Sequence, residues 1–174
     1  MQASIEQILS SYNDRAPLSE AFTIPASWYV DPRIAELERL SVFSRTWQLV
    51  ARTSQLQNAG DFVATRVANE PVVVVRGVDG TLRAFFNVCR HHAAAVVTQP
   101  CGQASILQCP YHGWKYGLDG SLKGMPEFEG VENFDRAQNG LLPIRVETWE
   151  CFVFVNLDPN AISLHEFLGG LVKR

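Results

Sequence analysis

Two short stretches that each contain one cysteine and one histidine constrain the fold of this chain more than any other feature. The first stretch is Cys89-x-His91 and the second is Cys109-x-x-His112. Cysteine sulfur and histidine nitrogen are the ligands that proteins offer to zinc ions and to iron–sulfur centres. A fold that uses all four side chains must hold the two stretches side by side.

The spacing within the first stretch bears on which metal centre is expected. A structural zinc ion usually takes paired ligands that are two to four residues apart, and Cys89-x-His91 is tighter than that. In an extended chain, the side chains of two such residues stand roughly 6.6 Å apart, since the rise is about 3.3 Å per residue. This separation favours two metals of a binuclear cluster, although a turn would bring both side chains onto one ion.

The sequence from about residue 47 onward predicts an all-β core. Short segments rich in β-branched and aromatic residues recur there, bounded by Gly, Pro, Asn or Asp. Asp79-Gly80 and Asp119-Gly120 are signals of tight hairpin turns between such segments. The pattern predicts an antiparallel β sandwich or small barrel. The predicted strand segments are WQLVAR, DFVATRV, PVVVVRG, LRAFFNV, SILQC, IRVETW and FVFVNL.

The residues that precede this core are predicted to form a helical arm. A short helix is expected over 2–12, and an extended stretch interrupted by prolines over 13–30. A longer helix is expected over 32–47, because Asp31 can cap it, Pro32 suits its first position and apolar residues recur at helical spacing. This pattern indicates one amphipathic helix between the extended stretch and the first strand.

Three parts of the chain are therefore expected. They are an N-terminal helical arm over 1–44, an all-β domain over 45–160 and a tail over 161–174 whose sequence begins a helix. The tail follows an Asp-Pro pair, which is a common boundary signal.

Composition and charge exclude several classes of function. The chain has 47% hydrophobic and 19% charged residues, as globular proteins do. A net charge of −3 gives no electrostatic basis for binding nucleic acid or an anionic membrane. Apolar runs such as 71–75 are too short to cross a bilayer, and the N-terminal sequence lacks the features of a secretion signal. A cytoplasmic location is expected, with Cys101 and Cys151 as free thiols.

The spacing Cys89-x-His91 followed by Cys109-Pro-Tyr-His112-Gly-Trp resembles the Rieske 2Fe–2S signature. In that family two cysteines hold one iron and two histidines hold the other. The resemblance implies that Cys89 and Cys109 ligate the first iron, and that His91 and His112 ligate the second. Alternation along an extended chain agrees, because it places residue 91 on the same face as residue 89 and points His92 away.

The resemblance extends beyond the ligands. Segments 25–56, 115–124 and 140–158 are similar to the N-terminal part of Rieske non-haem iron oxygenase α subunits, in particular choline-monooxygenase-like and aromatic-ring-hydroxylating members. One departure is present: the family commonly has Arg-Gly after the first ligand histidine, and this chain has His92-Ala93. The departure leaves ligation untouched and is expected to affect the geometry of the loop.

Two other kinds of Rieske protein are alternatives. Respiratory Rieske proteins carry an extra cysteine in each cluster loop, where this chain has Ala94 and Tyr111, and a serine where it has Trp114. These differences exclude the respiratory type. A stand-alone Rieske ferredoxin remains an alternative, but such a carrier needs only the β core, so the arm over 1–44 favours the oxygenase.

The oxygenase resemblance implies a role in electron transfer. The cluster would accept electrons from a flavin reductase or a ferredoxin and pass them to a mononuclear non-haem iron of a monooxygenase or dioxygenase. The intact subunit would form a homotrimer, alone or with a β subunit. A facial triad of two histidines and one carboxylate holds such an iron, and His165 beside Glu166 cannot supply one. The tail over 161–174 would then begin a catalytic domain that lies outside this chain.

Side chains next to the four ligands are expected to assist the cluster. Arg90 and Lys115 can steer an acidic redox partner. Tyr116 can form a hydrogen bond to a ligand sulfur, because the family places a tyrosine there. Trp114 is expected to shield the cluster from water.

Overall fold

The computed structural model describes residues 3–173. The chain divides into two compact units, Met1–Val42 and Phe43–Arg174. The first unit is helical and the second is mostly antiparallel β, so the predicted all-β fold with an N-terminal helical arm is confirmed. Within the described residues, no helix has the length and apolar character that crossing a bilayer requires.

The first unit consists of short helices joined by turns. A capping box at Ser4 begins the first helix, and Asp31 caps the third by accepting the backbone N–H of Arg33, as the sequence predicts. The indole N–H of Trp28 donates to the backbone carbonyl of Ile8 at 3.0 Å, which fastens the first helix to the second. The helices are α1 (Ile5–Leu9), α2 (Ala26–Val30) and α3 (Pro32–Glu38), with 3₁₀ and π-helical turns at Leu18–Glu20 and Arg39–Phe43.

Two predictions for the arm are wrong in detail. The stretch over 13–30 is not extended throughout, because Pro25 takes the position just before a helix and α2 follows it. The helix expected over 32–47 ends earlier, since α3 stops at Glu38 and a π-helical turn follows. Trp47 belongs to the second unit, where it is buried and its indole N–H donates to the carbonyl of Ile162.

The second unit contains two antiparallel sheets. The larger sheet has the strand order β1-β10-β9-β4-β3-β2-β5, and the smaller has the order β6-β7-β8. Each predicted strand segment overlaps one observed strand, whereas β5, β7 and β8 span only two or three residues and were not predicted. The strands are β1 (Gln48–Arg52), β2 (Asp61–Val67), β3 (Glu70–Arg76), β4 (Leu82–Phe86), β5 (Cys101–Gln103), β6 (Leu107–Gln108), β7 (Lys115–Tyr116), β8 (Leu122–Gly124), β9 (Pro143–Trp149) and β10 (Phe152–Asn156).

Strand β3 lies between two hydrophobic cores. Its four consecutive valines, at 72–75, are all fully buried. Because side chains alternate along a strand, Val73 and Val75 enter one core while Val72 and Val74 enter the other. The core that contains Val73 and Val75 also contains Cys89 and Cys109. One face of β3 therefore packs in the core that holds the two cysteines, and its other face packs in the second core.

The two Asp-Gly pairs form tight turns, as predicted. In the first turn the N–H of Gly77 donates to the carbonyl of Thr81 at 2.9 Å, and Gly80 has a φ of +77°. In the second turn the N–H of residue 117 donates to the carbonyl of residue 121 at 2.8 Å, and Gly120 has a φ of +81°. Glycine adopts this left-handed backbone without steric cost, which is why these pairs mark the turns.

The tail is fastened to the sheet of the second unit. Helix α4 (Leu164–Leu168) begins with a capping box in which Ser163 and Glu166 bond reciprocally, and a 3₁₀ turn (Gly169–Lys173) follows it. The carboxylate of Glu147 on β9 accepts the backbone N–H of Leu164 at 2.8 Å. The predicted helix start in the tail is thus confirmed.

Candidate metal centre

The four candidate ligands lie on two loops of the second unit. Residues 89–94, here called the first loop, follow β4, and residues 109–114, the second loop, join β6 to β7. In the first loop the N–H of Cys89 donates to the carbonyl of Ala94 at 2.8 Å, and the N–H of Ala93 donates to the carbonyl of Cys89 at 3.0 Å. These two bonds close a six-residue turn that begins with a cysteine.

The second loop closes in the same way. The N–H of Cys109 donates to the carbonyl of Trp114 at 2.9 Å, and the N–H of Gly113 donates to the carbonyl of Cys109 at 3.0 Å. The fifth residue of each loop has a left-handed backbone, with φ values of 58° at Ala93 and 70° at Gly113. The two loops therefore share one backbone conformation, although their sequences agree only in the cysteine at the first position and the histidine at the fourth.

This turn overturns the argument from strand alternation. The first loop is not extended, so His92 does not point away from the ligand face. One ring nitrogen from each of His91, His92 and His112 lies within 4.8 Å of the others. The matching cysteines, and a glycine at the fifth position of the second loop, were the signals in the sequence that could have predicted a turn.

The sulfur side of the site is buried. Cys89 and Cys109 are 3% and 1% exposed, and neither forms a disulfide. Burial raises the pKa of the Cys109 thiol, while the backbone N–H groups of Tyr111 and His112 donate to its sulfur and act in the opposite direction. Both thiols point into the core shared with Val73 and Val75.

Tyr116 lies beside the first of these sulfurs, as its position in the sequence suggested. It is fully buried, and its hydroxyl oxygen lies 3.3 Å from Cys89 Sγ. The same oxygen accepts the backbone N–H of Arg90 at 2.9 Å, so the hydroxyl proton is free to point at the sulfur. Burial also raises the pKa of Tyr116, which keeps the hydroxyl protonated and able to donate.

The nitrogen side of the site is formed by stacked rings. The ring centroids of His91 and His112 are 4.8 Å apart. Trp114 stacks on His91 with a centroid distance of 4.7 Å and an angle of 3°, and Tyr111 stacks on His112 at 3.8 Å. Burial, followed by the charges of His92 and His112, lowers the pKa of His91. These contacts favour the neutral imidazole, the form that binds a metal.

One nitrogen of His91 lacks a partner. Among the described residues, Nδ1 of His91 is a buried polar side-chain atom that makes no hydrogen bond. Buried polar groups in native proteins are almost always satisfied, and leaving one unpaired costs about 1–3 kcal/mol. His112, by contrast, is exposed. The first loop thus has a buried imidazole nitrogen that a bound metal would satisfy.

Two further groups support the site and were not anticipated. The buried side chain of Asn87 bridges the base of the first loop: its oxygen accepts the N–H groups of Val96 and Val97, and its amide donates to the carbonyl of Val97 at 2.7 Å. Phe128 and Phe134 pack edge-on against Trp114 at 5.7 and 5.9 Å. A polar residue within an apolar strand segment was the only signal for Asn87.

The remaining candidates lie at the surface. Arg90 within the first loop and Lys115 directly after the second loop are exposed, and Tyr111 is 64% exposed. Cys101 and Cys151 are exposed thiols outside the site. The site therefore has a buried sulfur side and a partly open nitrogen side.

Comparison with known proteins agrees with this geometry. The model of the Rieske [2Fe-2S] domain matches residues 46–135. The oxygenase subunit of carnitine monooxygenase from Escherichia coli (strain K12) is 43% identical over 152 residues, which are 87% of this chain and 41% of that protein. The α subunit of 2-aminobenzenesulfonate 2,3-dioxygenase from Alcaligenes sp is 41% identical over 148 residues, or 83% of this chain and 38% of that protein.

The solved structures that resemble this chain are also Rieske oxygenases. A quaternary ammonium Rieske monooxygenase in complex with L-carnitine superposes with a TM-score of 0.83 at 36% identity, covering 88% of this chain and 44% of that one. Naphthalene 1,2-dioxygenase from Rhodococcus sp. bound to indole gives a TM-score of 0.81 at 32% identity, covering 86% and 35%.

These relatives are longer than the chain, which spans about two fifths of the length of the curated proteins it matches. They are oxygenase subunits, and their similarity extends beyond the residues matched by the domain model, since it covers 87% of the chain while that model spans 46–135. A Rieske domain implies a 2Fe–2S cluster. The chain belongs to the Rieske [2Fe-2S] domain family, and the curated relatives that it matches are subunits of a monooxygenase and a dioxygenase.

Proposed function

We propose that Cys89 and Cys109 hold one iron of a 2Fe–2S cluster and that His91 and His112 hold the other. The observation that carries this proposal is the buried Nδ1 atom of His91, which has no partner among the described residues. The donor set fits the group, because two buried thiols and two imidazoles are what a Rieske cluster requires. When bound, such a cluster takes up and releases single electrons.

The surrounding residues prepare the loops for this role. Burial lowers the pKa of His91 and so favours its neutral form, and its ring stacks on Trp114. Tyr116 donates toward Cys89 Sγ, which stabilises negative charge on that sulfur. Trp114, covered by Phe128 and Phe134, excludes water from the ring of His91. His112 is exposed, so its edge is the place where a redox partner can approach.

We propose further that the whole protein relays electrons from a flavin reductase or ferredoxin to a mononuclear non-haem iron. The relatives support this proposal because they are oxygenase subunits. That iron would be bound outside residues 1–174. His165 is exposed and the carboxylate of Glu166 bonds to Ser163 in the capping box, so this pair does not form an iron site. A homotrimer, with or without a β subunit, and a cytoplasmic location are part of the same proposal. So is the assignment of 161–174 to the start of the catalytic domain.

The test is to purify the protein without oxygen and measure iron, acid-labile sulfide and zinc. We expect equal amounts of iron and sulfide, a red-brown colour and the electron paramagnetic resonance signal of a reduced Rieske centre after dithionite. Stoichiometric zinc with no sulfide would contradict the proposal.

A second measurement addresses the relay. The oxidised chain is mixed with NADH and a ferredoxin–reductase pair, and bleaching of the cluster absorbance is followed. Reduction by the pair but not by NADH alone is expected. With oxygen and carnitine or an aromatic substrate added, the chain is expected to be reoxidised without forming hydroxylated product.

A further inference from the structure

We propose that His92 is a reserve ligand for the outer iron, the one assigned to the two histidines, and replaces His91 when that side chain is lost. This inference rests on the proposed cluster. It differs from it because the four assigned ligands leave His92 without a role.

The shared conformation of the two loops is the first argument. Because both loops close with the same hydrogen bonds and turn at the fifth residue, their positions correspond one to one. His112 is the fourth residue of the second loop, and the fourth residue of the first loop is His92. The first loop therefore presents an imidazole from the same backbone position that supplies the ligand in the second loop. His91 corresponds to Tyr111.

The distances give the second argument. The ring of His92 is 5.2 Å from the ring of His112, almost as close as the 4.8 Å between His91 and His112. One ring nitrogen of each of the three histidines lies within 4.8 Å of the others. Two imidazole nitrogens on one tetrahedral metal stand roughly 3.4 Å apart, given metal–nitrogen distances of about 2.1 Å. A shift of at most about 1.4 Å, the difference between these two distances, would thus bring His92 into coordinating range.

His92 is also free to make that shift. It is exposed, and within residues 3–173 its side chain is held by ring contacts and by no hydrogen bond. Its nearest ring neighbour is His91 at 3.8 Å. Removal of the His91 ring would open the space into which His92 can turn. In the intact protein, the buried nitrogen of His91 makes that residue the ligand.

The second loop has no comparable reserve. The neighbour of His112 is Tyr111, and a phenol must lose its proton to bind a metal, whereas a neutral imidazole binds directly. The two loops should therefore respond differently to loss of their histidine.

The experiment compares the wild-type protein with His92→Ala, His91→Ala and the double variant. Each is produced in the same way and purified without oxygen. We expect His92→Ala to keep the wild-type iron and sulfide content and resonance spectrum. The His91→Ala protein should retain iron and sulfide in equal amounts but show shifted g-values and visible bands, because a different imidazole geometry holds the outer iron. The double variant should lose both iron and sulfide.

Other outcomes are decisive in the opposite sense. A His91→Ala protein as free of iron and sulfide as the double variant would overturn the role of His92. A double variant that keeps as much cluster as His91→Ala would show that another group replaces the ligand. His91→Asn is made in parallel, so that a folding failure of one variant, seen by circular dichroism, leaves the comparison intact. A wild-type protein with no cluster would instead refute the proposed function itself.

Discussion

The first and second loops have the same backbone conformation but different side chains. Each begins with a buried cysteine and closes with the same pair of hydrogen bonds. The second loop has Gly113 at its left-handed position, whereas the first has Ala93 there, with a φ of 58°. An L-residue in this conformation costs roughly 1–2 kcal/mol relative to glycine. The comparison teaches that the turn is required at both loops and that glycine only lowers its cost.

The loops also differ in which position carries the imidazole and in what donates to the sulfur. The first loop offers His91 and His92, and the second offers His112 alone. A tyrosine hydroxyl donates toward Cys89, while backbone N–H groups donate to Cys109. Equivalent backbones therefore carry imidazoles at different positions and different hydrogen-bond donors to their cysteine sulfurs. Each of these differences can be tested by a substitution in one loop and its counterpart in the other.

The largest expected effect comes from His112→Ala. The second loop has no other imidazole, so this variant should lose iron, sulfide and colour. His92→Ala is the matched control and should keep all three. The measurements are iron and sulfide per chain and the visible spectrum. A His112→Ala protein with a full cluster would break the proposed difference between the loops.

Gly113→Ala is expected to have the next largest effect. Its φ of 70° is unfavourable for alanine, and the added Cβ would lie 3.2 Å from Cγ of Pro126. We expect the free energy of unfolding to fall by about 1–2 kcal/mol. Denaturation by guanidinium, followed by circular dichroism, measures the change. Gly80→Ala is a useful control, because φ is also positive there but no atom lies within 4 Å of the added Cβ. Equal losses would mean that the contact with Pro126 adds nothing.

Tyr116→Phe tests the donor to the sulfur of the first loop. Hydrogen bonds to cluster sulfurs raise the reduction potential, because they stabilise the additional electron. One bond of about 1 kcal/mol corresponds to roughly 40 mV for a single electron, so the potential should fall by that order. Tyr111→Phe removes a hydroxyl from an exposed ring and should leave the potential unchanged. Protein-film voltammetry measures both.

The wild-type potential itself is also expected to be low. Rieske centres span roughly −150 to +300 mV, and Trp114 stands where high-potential members have a serine donor. A value well above zero at neutral pH would contradict this expectation and would require a sulfur donor beyond Tyr116 and the backbone groups.

The smallest effect is expected from Ala93→Gly. Glycine relieves the left-handed strain in the first loop. It also increases the conformational entropy of the unfolded chain, which lowers the free energy of unfolding by about 0.4–1 kcal/mol. The net change in the free energy of unfolding should be stabilising and below about 1 kcal/mol. The same denaturation experiment detects it. A loss of stability on this substitution would show that the methyl group of Ala93 makes contacts worth more than the strain it causes.

Much of the β domain could be predicted because its longer strands bury one or both faces. The four valines of β3, the alternation in β9 and the apolar run of β10 are all visible in the hydrophobicity of the sequence. Strands of two or three residues carry no such period, so β5, β7 and β8 were missed. The arm helix was extended too far, because Trp47 continues the helical spacing but its side chain is buried in the β unit.

The sequence predicted the candidate ligand residues of the site but not the conformation of the loop that carries His91. A motif of four residues named the candidate ligands, but the alternation argument treated the first loop as a strand. The hydrogen bonds that close a turn leave no trace in residue type when the left-handed position is occupied by alanine. The hydrogen bonds of the Asn87 side chain were also missed. They reach Val97, ten residues further along the chain, and local sequence patterns do not reveal such contacts.

The double burial of β3 has a consequence for how the molecule opens. The alternate valines of one strand belong to two cores, and one of those cores holds both cysteines. Neither core can open while the other stays closed, since both would have to release the same backbone. Amide protons of 72–75 should therefore exchange with deuterium only through global unfolding. Loss of the metal centre on heating and loss of the sheet should then appear as one transition.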